Sequence, residues 1–151
     1  MRAINHAMTG AIIGLSISEP IIAVPLAVGS HFVLDAIPHF GEKKVSFTSP
    51  VFNNLLKADV ILCAALVSII MVVRPRNWIL AIVCATLAAG VDFMHIPRYL
   101  KSIKTGTVAK PTTLVGRFHS RIQWFERPPG AVVEIVWATA AIVVLSVLLN
   151  K

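Results

Sequence analysis

Acidic side chains are scarce in this chain. Its 151 residues hold seven Asp and Glu, and charged residues of both signs make up 14% against 56% hydrophobic. So little polar surface cannot cover a water-soluble globule of this size, and a mean hydropathy of +0.79 points to a membrane as the solvent. Cysteine is nearly missing as well. Cys63 and Cys84 each sit inside an apolar run, where a thiol is a small packing group, so no disulfide framework is expected. A leucine-rich secretory signal core is also lacking at the start. His6, Thr9, Gly10 and Gly14 interrupt the first apolar stretch, which therefore reads as a helix of the fold rather than a signal peptide.

What the chain does have is long apolar sequence. Five segments stand out, at about Ile4–Ile17, Pro20–Ile37, Asn54–Val73, Trp78–Ile96 and Ala131–Leu149. The last three approach the ~20 residues that span ~30 Å of hydrocarbon at ~1.5 Å per residue. The expected fold is all-α, a single membrane-embedded domain over residues 1–151 built as a bundle of about five apolar helices. The first segment is short, so the first two are expected as a tilted or re-entrant hairpin. The loop 98–129 mixes arginines with Phe118, Trp124 and Phe125, which suits an interfacial helix at headgroup level.

The net charge of +7 is unevenly placed. Arg2, Lys43, Lys44, Lys57 and every basic residue from Arg98 to Arg127 fall on the side holding the N-terminus, against Arg74, Arg76 and Lys151 on the other. The positive-inside rule then predicts a multi-pass protein of the cell membrane with a cytoplasmic N-terminus. The basic excess records orientation, and no nucleic-acid partner is expected.

Ionisable groups inside spanning segments are costly unless paired, hydrated or bound. Four of the seven acids, Asp35, Asp59, Asp92 and Glu134, nonetheless lie in apolar segments, all toward the N-terminal side. The histidines repeat the pattern: His6 opens the first segment, His31 and His39 flank Asp35, His95 follows Asp92, and His119 lies in the loop on that side. On an ideal helix His31, Asp35 and His39 fall within about 80° of one another, while Asp92 and His95 are surface neighbours. The helices are thus expected to converge on one polar site. His6, Gly10 and Gly14 form a small-residue ridge that allows close approach of another helix. Imidazoles and carboxylates together suit a divalent metal, one ion or two, with Zn²⁺ first and Mn²⁺ or Fe²⁺ as alternatives. The candidate ligands are His6, His31, Asp35, His39, Asp59, Asp92 and His95. For Asp59 the competing reading is an ion pair with Lys57 or a neighbouring helix, and for Glu134 a pair with a loop arginine.

In this combination the chain resembles the membrane-bound metal-dependent hydrolases, a group of small multispanning proteins loosely related to zinc-dependent phospholipase C. The similar features are His6-Ala-Met-Thr-Gly10, Leu34-Asp35-Ala-Ile-Pro38-His39 and the later Asp92, His95 and His119. Gly116-Arg117-Phe118-His119-Ser120 is the nearest counterpart of the group's His-Arg-Gly-x-Thr-His-Ser motif, and the first cluster carries one aspartate where the group has two. The resemblance implies a membrane-embedded metal hydrolase that cleaves a phosphoester or related bond of a lipid or lipid-linked substrate. His119 or Glu134 would serve as general acid or base, with Arg117 and Arg121 on a phosphate headgroup. A noncatalytic metal-ion or proton carrier would use the same residues but needs polar groups continuing across the membrane. A scaffold whose polar groups only join helices is the third reading.

Overall fold

The computed structural model describes residues 1–41, 50–94, 96–105 and 111–150. These form seven α-helices: α1 Ala3–Ser16, α2 Pro20–Ala36, α3 Pro50–Val73, α4 Trp78–Phe93, α5 Ile96–Thr105, α6 Leu114–Ile122 and α7 Ala131–Leu148. A 3-10 turn, Pro128–Gly130, leads into α7, and no strand occurs among the described residues. The fold class is all-α, as expected. The apolar segments become α1 to α4 and α7 with ends shifted by a few residues, but the 98–129 loop holds two helices, α5 and α6, in place of one.

The short first helix is at the centre rather than at an edge. α1 packs against α2, α3, α4 and α7, and Ala3, Ala7, Met8, Ala11 and Leu15 are all buried in that core. Its ridge explains the fit. A Cβ built on Gly10 would lie 2.4 Å from the Cys84 carbonyl oxygen, and one on Gly14 would lie 2.5 Å from Ala81 Cα. Only glycine lets the α1 and α4 backbones meet so closely. The facing stripe of α4, Ala81, Cys84, Ala85 and Ala88, is correspondingly small and fully buried.

Pro20 opens α2 at its first position, where the missing N–H costs nothing. Between α3 and α4 the backbone turns through Arg74 and Asn77, both left-handed with φ of 50° and 65°. The Asn77 side-chain amide donates to Ser18 Oγ at 3.0 Å, so the α1–α2 and α3–α4 turns share one end of the bundle. The ionisable ends of α1, α2 and α4 therefore gather at the opposite end.

Two helices are long and apolar enough to cross a membrane, α3 and α7 with its leading turn. In each, only 17% of the most apolar 18-residue window is buried within the protein. Aliphatic side chains such as Ile61, Val72, Val132 and Ile135 point outward, where water would leave them unsatisfied and hydrocarbon would not. α2 and α4 are apolar but shorter. By length and composition, the described helices thus supply two candidate spans, α3 and α7, while α4, expected to approach a full span, falls short of one.

Candidate metal centre

The end of α2 sets the site. His31 and Asp35, one turn apart, are fully buried. His31 Nδ1 donates to the Ala88 carbonyl of α4 at 2.8 Å, which leaves the lone pair of a neutral ring on Nε2. That Nε2 faces His119 Nε2 at 3.0 Å and Asp35 Oδ2 at 3.2 Å. His119 Nε2 in turn lies 2.6 Å from Asp35 Oδ2. From the end of α4, Asp92 Oδ1 stands 3.8 Å from both imidazole nitrogens. The four ligand atoms of His31, Asp35, Asp92 and His119 all lie within 4.8 Å of one another.

The convergence of four ligand atoms makes the group unusual. His31 Nε2, His119 Nε2, Asp35 Oδ2 and Asp92 Oδ1 all point into one small space, each offering a ligand atom to it. Gln123 Nε2 adds only a distant contact at 3.5 Å from Asp35 Oδ2. Two carboxylates and two imidazoles at this spacing match the donor set and the charge of a divalent ion.

Asp35 is shared between two neighbourhoods. Its Oδ1 accepts from His6 Nε2 at 3.1 Å and from the Met1 α-ammonium. The His6 ring stacks on His31 at a centroid distance of 4.0 Å, and Phe32 packs edge-on against His31 at 5.4 Å. His6 Nδ1 and Asn5 Oδ1 are buried without a hydrogen-bond partner among the described residues. Access is one-sided: His31 and Asp35 are sealed, while the Asp92 side chain keeps 28% of its surface exposed.

Delivery of His119 depends on α6. Thr113 caps the helix by accepting from the Gly116 N–H at 3.1 Å. Gly116 and His119, one turn apart, form the buried inner face. Trp124 Nε1 donates to the Ala36 carbonyl at 3.0 Å, tying the end of this segment to the end of α2. Beyond it, Arg127 N donates to the His39 carbonyl at 3.0 Å, and a Cβ on Gly130 would lie 2.1 Å from that same oxygen.

Of the seven expected ligands, His31, Asp35 and Asp92 are brought together, and His119, expected as acid or base, completes the group. His6 reaches only the outer oxygen of Asp35. His39 turns aside, its Nδ1 donating to the Ile37 carbonyl at 2.9 Å, and burial holds its ring below the ordinary histidine pKa. Glu126, bridged to the His39 backbone, is pushed up by burial. Asp59 binds Arg2 instead, taking its Nε at 3.0 Å on both oxygens, and Arg2 Nη2 continues to the Leu55 carbonyl at 3.2 Å. Glu134 accepts from the Arg2 backbone N–H at 3.1 Å rather than joining the group. Arg117 is exposed, about 160° around α6 from His119. His95 lies outside the described residues. Gln123 was not foreseen; its signal is the one-turn spacing from His119, which puts both on the inner face. Compared with family models, curated proteins and solved structures, the chain matches none.

Proposed function

We propose that this protein is a membrane-embedded metal-dependent hydrolase that cleaves a phosphoester or related bond of a lipid-linked substrate. The observation that carries the reading is the convergence of four buried or half-buried ligand residues, whose ligand atoms lie within 4.8 Å of one another. His31, Asp35, Asp92 and His119 would hold the ion, with Zn²⁺ the first candidate for so mixed a nitrogen and oxygen set. When bound, such an ion supplies acidification of a coordinated water and polarisation of an ester oxygen.

The remaining work belongs to the chain. The Ala88 carbonyl fixes the His31 tautomer, and His6 holds the outer oxygen of Asp35 so that the inner one stays aimed at the imidazoles. Exposure at Asp92 alone gives substrate one direction of approach. Pronounced apolarity beside that opening favours a lipid-linked substrate over a water-soluble one. The basic asymmetry supports a cytoplasmic site, and the resemblance of the histidine and aspartate motifs to membrane-bound metal-dependent hydrolases supports hydrolysis over transport. So does the middle of the bundle, where Ala11, Ile70, Ala81 and Ala85 pack without a polar line for an ion to follow.

Metal analysis of detergent-purified protein tests the centre. Wild type is expected to carry about one ion per chain, and His31→Ala and Asp35→Asn to lose it, as for any site stripped of a ligand. A metal-free wild type after purification without chelator and reconstitution with Zn²⁺, Mn²⁺ and Fe²⁺ would reject it. Product release from phospholipids or polyprenyl phosphates then separates an enzyme from a carrier.

A further inference from the structure

α6 has two occupations. Gly116 and His119 are the only buried residues among its nine, so most of the helix that delivers His119 faces outward. With His119 taken as the reference, an ideal helix places Leu114 and Phe118 roughly 100–140° to one flank and Arg117 and Arg121 about 160° away, beside them. The apolar flank is uncovered: Leu114 is 78% exposed, and Phe118, Trp124 and Phe125 are exposed too. Phe118 meets the ring of Phe32 at 5.5 Å between ring centroids.

Charge says what covers this face. From Lys101 to Phe125 the chain carries five Lys and Arg and no Asp or Glu. Aromatic and aliphatic side chains beside arginines, with no acid to neutralise them, suit the boundary between acyl chains and negatively charged headgroups. Guanidinium groups grip phosphate with paired N–H donors.

We propose that α6 docks on an anionic lipid surface, with Leu114, Phe118 and Trp124 in the acyl boundary and Arg117 and Arg121 on headgroup phosphates, and that this seating holds His119 against Asp35. The docking stands on α6 alone, whereas the coupling to His119 rests on the metal centre proposed above. Headgroup charge thereby regulates the completeness of the centre. In a membrane poor in anionic lipid, α6 loses the seating on its outer face and keeps its hydrogen bonds to α2 through His119, Gln123 and Trp124.

Full-length protein in nanodiscs of phosphatidylcholine, or of phosphatidylcholine mixed with phosphatidylglycerol, supplies two separate readouts. The fluorescence removed by Trp124→Phe isolates Trp124, and lipid brominated near the headgroup end of the acyl chain is expected to quench it more strongly in the anionic discs. Zn²⁺ affinity is expected to be roughly fivefold tighter there, the effect of one or two cationic side chains meeting an anionic surface. The double variant Arg117→Gln/Arg121→Gln should erase both differences while matching wild type in phosphatidylcholine. Equal quenching in the two lipids overturns the docking, and lipid-dependent quenching with unchanged Zn²⁺ affinity overturns the coupling. A protein that binds no Zn²⁺ in either lipid rejects the metal centre, and quenching then decides the docking by itself.

Discussion

Asp35 gathers more partners than any other side chain of the site, and its two oxygens have separate tasks. Oδ1 answers His6 and the α-ammonium of Met1, and Oδ2 answers His31 and His119. Replacing His6 by Ala should therefore weaken Zn²⁺ binding on the order of tenfold without abolishing it, as loss of a residue supporting a ligand does. Competition with a fluorescent chelator measures this. Asp59→Asn acts elsewhere: it takes the anion from the Arg2 guanidinium, a part-buried pair, and should cost about 1–2 kcal/mol of stability, read by thermal melting in detergent, with metal content intact. His39 contributes to the pH dependence of stability. Its buried ring resists protonation in the folded state, whereas the unfolded chain takes up a proton at about pH 6.5. Stability is then full above that value and falls as pH drops through it, and His39→Gln should flatten the melting temperature over that window. Glu126 acts in the opposite sense, favouring the folded state at acid pH, so its contribution fades as pH rises past the ordinary carboxylate value. The one-turn pairing of His31 with Asp35 is legible from spacing alone. Whether His39 or His119 joins them is not, because that depends on how the chain after Ala36 and the chain after Ile122 cross.

Among the helices, the close crossing of α1 and α4 makes the sharpest demands. Gly10→Ala drives a methyl against backbone, not against a flexible side chain, and should cost about 1–3 kcal/mol. Gly29 in α2 is the control: a Cβ there meets nothing within 4 Å, so Gly29→Ala should be neutral or stabilise by up to about 1 kcal/mol through helix propensity. Melting temperatures of the two variants check the contrast. Hydrophobic runs and prolines located the apolar helices to within a few residues, and the glycine ridge on α1 was visible as a small-residue pattern. Its partner was not visible. Small residues occur in several segments, and only assembly selects the Ala81, Cys84, Ala85 and Ala88 stripe. The break between α4 and α5 is likewise hidden in the sequence, since hydropathy runs on past Phe93 to Ile96 while α4 ends at Phe93.

For the molecule as a whole, the contrast between centre and periphery is the organising fact. The least apolar of the five segments, with a histidine and an asparagine near its start, is enclosed by the others, while the two long candidate spans, α3 and α7, turn most of their side chains outward. An inside-out arrangement of this kind follows when the surroundings are hydrocarbon, because burial no longer sorts residues by hydrophobicity. That central placement of α1 also has a consequence for folding. Arg2 finds Glu134 across 132 residues, and His119 finds Asp35 across 84. The polar end of α1 is thus closed in stages, His6 by Asp35, the Arg2 side chain by Asp59 and the Arg2 N–H by Glu134 of the distant α7. Such distant closure is slow relative to local helix formation, so the last contacts to form in this bundle are those that bring His119 of α6 to Asp35 and Glu134 of α7 to Arg2.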